Sequence, residues 1–107
     1  MDIEAKIARL VRKTSSTLPQ DALDALKGAA RREAKGSSAR MVLETLVDNA
    51  TLACKNGTPM CQDTGTLTFF VDERLRDVVT PDAVKNAVAY ATEKGWLRRN
   101  TIDSVSG

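Results

Sequence analysis

Histidine is absent from all 107 residues of this chain. That excludes imidazole general-base chemistry and histidine metal ligation unless another polypeptide brings the histidine. Cysteine occurs only at Cys54 and Cys61. Two thiols without histidine cannot build a four-ligand zinc site. With no secretory leader, a disulfide framework is not expected either. Aromatic residues make up 4% of the chain, so a core has to be assembled from Leu, Val, Ile and Ala. No apolar run approaches the roughly 18 residues of a membrane span. The start, Met1-Asp2-Ile3-Glu4, is acidic and amphipathic, unlike a signal peptide. A cytoplasmic protein without a membrane partner is expected. The net charge of +2 is too small to imply a nucleic-acid partner.

What is present suits one ordinary soluble domain with a modest core: 42% apolar and 28% charged residues. Ile3, Ile7, Leu10 and Val11 share a stripe that predicts a first helix over residues 2–13. Thr14-Ser15-Ser16-Thr17 is expected to break it. A second helix should begin near Pro19, carry Leu23, Leu26 and Ala30 inward, and end at Gly36 as a C-cap. Ser37 or Ser38 can cap the third. There Val42, Leu43, Leu46, Val47, Ala50, Ala53 and Cys54 follow three-and-four spacing, until Asn56-Gly57 and Pro59 close it. Residues 66–71 read as a strand buried on both faces. Thr80-Pro81 opens a fourth helix whose inner stripe is Val84, Ala87, Val88 and Ala91, with Gly95 at its end. The expected class is α+β, predominantly helical, with about four helices and one or two short strands. A lone strand leaves its N–H and C=O groups without partners, so its neighbours are expected in the tail or in another polypeptide.

Between the third helix and that strand lies Pro59-Met60-Cys61-Gln62-Asp63-Thr64-Gly65-Thr66. It sets a thiol, an amide and a carboxyl on consecutive residues. Pro59 restricts the approach, and Gly65 permits a tight turn. A polar loop between rigid elements is a favourable place for a site. The bland alternative is a turn with a small buried thiol.

The run Cys61-Gln62-Asp63-Thr64-Gly65-Thr66 resembles the loop around the first cluster cysteine of class I fumarases and of the α subunit of L-tartrate dehydratase. The order of elements around it, and Gly95-Trp96-Leu97-Arg98 after the fourth helix, are also similar to that family. The resemblance implies a 4Fe–4S cluster held by three cysteine thiolates, with one iron left open to substrate. It implies Cys61 as the first ligand and Gln62 as a hydrogen-bonding partner of the substrate. It implies Asp63 as a carboxyl that binds substrate and protonates the departing hydroxyl. It further implies Arg98 as the group that grips a substrate carboxylate, with Arg99 a competitor one residue on.

The same resemblance implies that residues 1–107 are the N-terminal portion of a larger iron–sulfur hydro-lyase catalytic domain. The remaining ligands would lie outside this chain, in the remainder of the enzyme or in a second subunit, and the whole would be a homo-oligomer. Alone, the chain is expected to be inactive and to expose an apolar patch where the missing part docks. The expected reaction is reversible hydration of a small dicarboxylate, fumarate to malate, with tartrate dehydration the close alternative. A non-enzymatic helical binding module is the alternative of another class. Cys54, seven residues before Cys61, is expected to be a buried structural thiol. The basic stretch of Lys27, Arg31, Arg32, Lys35 and Arg40 is expected to be a solvated face. Asn49-Ala50-Thr51 has the form of a glycosylation acceptor, without consequence for a cytoplasmic helix.

Overall fold

The computed structural model describes residues 2–61 and 65–99. Four α-helices account for most of them: α1 (Ile3–Ser16), α2 (Gln20–Arg32), α3 (Ser38–Asn56) and α4 (Pro81–Glu93). One 3₁₀ turn, Glu73–Leu75, precedes α4. The helices pack as two pairs, α1 on α4 and α2 on α3, joined by a smaller contact between α1 and α3.

Local chemistry sets the helix starts. The Asp2 carboxylate accepts from the Glu4 amide, the Ser37 hydroxyl from the Arg40 amide, and the Thr80 hydroxyl from the Ala83 amide. Each supplies a partner that the first turn of a helix lacks. Pro81 follows Thr80 where its missing N–H costs nothing. The 3₁₀ turn is capped by Asp72. Its carboxylate is held below the ordinary carboxylate range by the Arg74 guanidinium first and the Arg74 amide second.

Two helix ends differ from expectation. The hydroxyl run at residues 14–17 does not break α1, which continues to Ser16. Thr14 and Ser16 donate back to the carbonyls of Leu10 and Arg12 at 2.8 Å, so the helix itself satisfies their hydroxyls. Gly36 has a φ of +80° but does not cap α2, which has already ended at Arg32 with Glu33 as its cap.

The core lies between α1 and α4. Ile7, Ala8 and Val11 meet Ala83, Ala87, Ala91 and Leu97, with Ile3, Phe69, Val84, Val88 and Trp96 packed around them. The alanines of α4 allow close approach, and Ala87 and Ala91 have no exposed surface. Leu10, expected on the inner stripe, is exposed, and Ala8 takes its place in the core. The α2–α3 pair buries less: Ala30, Ala50 and Ala53 are its buried residues, while Val42 and Leu46 of the expected stripe are exposed. In the basic stretch, Lys27, Arg31, Arg32 and Lys35 are solvated, and Arg40 is half-buried and pairs with Glu44 at 2.8 Å.

The strand expected over residues 66–71 is not formed, and no strand occurs among the described residues. The described structure is helical rather than α+β. A strand exists only as part of a ladder, and among the described residues no segment forms a bridge with this one, whose packed neighbour is the helix α1. Among the described residues, no helix is long and apolar enough to cross a membrane.

Two variants test this packing. Ala87→Leu inserts methylenes where no space exists and should cost about 1–3 kcal/mol, read as a lower urea midpoint with an unchanged slope. Thr80→Ala removes the α4 cap and should cost about 1 kcal/mol in the same measurement.

Candidate functional site

Helices α3 and α4 end in the same way, and the two exits converge on Cys61. At the end of α3, Gly57 has a φ of +64°, its amide reaches the Cys54 carbonyl, and the Thr58 amide reaches the Ala53 carbonyl. At the end of α4, Gly95 has a φ of +79°, its amide reaches the Thr92 carbonyl, and the Trp96 amide reaches the Ala91 carbonyl. Both are Schellman closures, in which a left-handed residue turns the chain sharply out of the helix. A Cβ at Gly57 would in addition run into the Arg12 guanidinium.

Arg12 of α1 joins these exits. Its Nε donates to the Gly57 carbonyl at 3.2 Å, and its guanidinium lies 4.9 Å from the centre of the Trp96 ring. A cation at the C-terminus of α3 also complements the helix dipole. Trp96 meets Tyr90 edge to face at 5.6 Å, and the Lys94 ammonium lies 5.5 Å from the Tyr90 ring.

The loop leading to Cys61 is held by its backbone. The Met60 amide donates to the Ser15 carbonyl of α1 at 3.0 Å. The Met60 carbonyl accepts from the Asn49 amide of α3 at 2.9 Å. The Cys61 carbonyl accepts from Arg98 Nε, just past α4, at 3.3 Å. Three separate elements thus fix two consecutive residues. Cys61 is exposed at the edge of a cleft of about 420 Å³. Ser15 of α1, Met60, Thr66, Thr68 and Leu97 contribute to its walls. The cleft brings together a thiol, hydroxyl-bearing side chains and apolar surface, with the Arg98 side chain bonded to the Cys61 carbonyl beside it.

Of the expected site residues, Cys61 and Arg98 are thus joined by a direct hydrogen bond. Gln62 and Asp63 lie outside the described residues. Arg99 is exposed, like Arg98. Cys54 is exposed rather than buried and accepts a weak hydrogen bond from the Thr17 hydroxyl at 3.6 Å. Cys54 continues the line of Leu43, Val47 and Ala50 along α3 but stands uncovered in the helix's last turn. Among the described residues, no three Cys, Asp or Glu side chains group closely enough to hold a metal ion.

Sequence reasoning missed Asn49 and Arg12 as supports of the loop. Asn49 carried a signal. It shares a helical stripe with Val42, Leu46 and Ala53, and an amide in an apolar stripe asks for a specific partner. Arg12 carried none, because nothing local distinguishes it from other surface arginines.

The family described as "Fumarate hydratase (Fumerase)" matches residues 4–107. A Geobacillus stearothermophilus protein named "Putative fumarate hydratase class I" is 39% identical over 101 residues, covering 92% of this chain and 20% of that protein. The L(+)-tartrate dehydratase subunit alpha of Escherichia coli strain K12 is 32% identical over 100 residues, covering 91% of this chain and 33% of that subunit. The chain therefore spans between a fifth and a third of the length of these relatives. Because the match runs through the Cys61 loop and on past Arg98, this chain belongs to the fumarate hydratase (Fumerase) family.

Proposed function

We propose that this chain is the N-terminal portion of an iron–sulfur-dependent hydro-lyase catalytic domain that adds water to, or removes it from, a small dicarboxylate. The observation that carries this reading is the unbroken Cys61-Gln62-Asp63-Thr64-Gly65-Thr66 run in a family member. Its entry is pinned by α1, α3 and Arg98.

The donor set fits one corner of a cluster site. A cluster ligand must be an accessible thiolate on a backbone that does not wander, and Cys61 is an exposed thiol on a backbone held from both sides. Cys54 already engages Thr17. The other ligands are therefore assigned to polypeptide beyond this chain, which is consistent with its short span of the relatives. When bound, a 4Fe–4S cluster with one iron lacking a protein ligand supplies Lewis-acid polarisation of a substrate hydroxyl.

This chain's own residues bind and orient the substrate. Gln62 offers an amide that both donates and accepts. Asp63 is assigned the proton that accompanies the departing hydroxyl, and in the reverse direction it takes that proton back. Arg98, its Nε engaged by the Cys61 carbonyl, places a cation beside the same loop. A planar guanidinium suits a carboxylate because it presents parallel donors to two oxygens. The base for the carbon-bound proton is assigned to polypeptide beyond this chain. Fumarate is the favoured substrate and tartrate the second, the latter supported by the likeness to the tartrate dehydratase subunit.

In the assembled protein, prepared without oxygen, hydration of fumarate and dehydration of tartrate are the direct assays, and activity on neither would overturn the reading. Cys61→Ser should abolish the brown cluster absorbance together with turnover, and full retention of colour would remove Cys61 from the ligand set. Arg98→Lys keeps the charge but loses the planar fork. It should raise KM for the dicarboxylate about tenfold or more with the cluster absorbance kept. An unchanged KM would assign carboxylate binding elsewhere.

A further inference from the structure

Residues 66–71 have the composition of a strand without the ladder of one. Thr66, Thr68, Phe69, Phe70 and Val71 favour a pleated backbone, and the segment contains no helix, turn or bend. Among the described residues, none of its N–H or C=O groups enters a backbone hydrogen bond. Phe69 packs on the α1–α4 core, whereas Phe70 is 96% exposed, and Leu67 and Val71 are exposed as well. Free strand edges are ordinarily blunted by charge, proline or bulges, yet residues 66–71 contain neither a charged residue nor a proline. Alongside, an apolar groove of about 250 Å³ runs between this segment and α1, walled by Ile7, Leu10, Phe70, Leu75 and Val79. Leu10 and Leu75 in that wall are themselves exposed.

We propose that residues 66–71 are a docking edge for a β-strand from the polypeptide outside the matched region in complete family proteins. That strand completes the backbone hydrogen bonds and seats an apolar side chain in the groove beside Phe70. The inference rests on reading the chain as one portion of a larger catalytic domain. The lengths choose the occupant: the matched region is 20% of the Geobacillus relative, so roughly four-fifths of that polypeptide lies outside it. Position supports the same choice. Thr66, Leu67 and Thr68 also wall the cleft at Cys61. A strand added to this edge therefore arrives beside the thiol whose partner ligands must come from outside.

The test co-expresses this chain with the remainder of the Geobacillus relative, the protein without its matched fifth. Hydrogen exchange is then followed at the amides of residues 66–71, and affinity by sedimentation. A complex should form in which those amides exchange at least about tenfold more slowly than in the free chain. Phe70→Asp should weaken association about tenfold or more, as expected for losing one buried aromatic side chain, yet leave the Tm of the free chain unchanged. Any of four results overturns the proposal: no complex; a complex with unprotected amides; protection that instead grows with the concentration of the free chain alone, which would mean self-pairing; or wild-type affinity in Phe70→Asp. Iron content and hydro-lyase activity of the same complex separate the two readings. Protected amides in an iron-free, inactive complex would defeat the hydro-lyase reading and leave the docking edge standing. An active iron-containing complex with unprotected amides would defeat the docking edge alone.

Discussion

The hydrogen bonds that tie Met60 and Cys61 to three distant elements are the constraint on which the candidate site depends. Backbone polar groups leaving a helix must find partners or face water. Here the partners are the Ser15 carbonyl, the Asn49 amide and the Arg98 guanidinium. Each comes from a different part of the chain, so the loop can hold its place only when the α1–α4 core and the α1–α3 contact are both formed. Stability of the helical pairs and placement of the thiol are one problem.

Arg12 shows how the pairs are coupled. One side chain meets the end of α3 through the Gly57 carbonyl and the turn after α4 through the Trp96 ring. The two helix exits therefore share a cation, and each has a glycine in the left-handed region to allow the turn. Neither interaction is strong by exposed-surface standards. Together they set the angle at which residues 57–61 and 96–98 approach each other, and that approach is what joins Arg98 to Cys61.

Family membership and the sparse burial of the structure point in the same direction. The core is built from small residues, and Phe70, Met41, Val42, Leu46 and Leu52 are exposed. On the docking-edge proposal, Phe70 is the part of this exposed apolar surface that other polypeptide covers. The relatives are three to five times longer than the matched region, as their 33% and 20% coverage implies.

The sequence by itself determined the four helices, the cap at Thr80, the choice of Ser37 or Ser38 for the cap of α3, the glycine exit of α3, the family and the candidate loop. These are local matters of period, hydroxyl placement and left-handed turns, which neighbouring residues decide among themselves. The tertiary structure decided the rest. It extended α1 through the hydroxyl run, because Thr14 and Ser16 found carbonyls within the helix. It left Leu10, Val42 and Cys54 exposed, because which part of a broad apolar stripe is covered depends on where the partner helix lies. It withheld the strand, because pairing needs a second segment that pattern alone cannot supply. And it brought Arg98 to Cys61 across 37 positions of sequence, a distance over which only packing, not periodicity, carries information.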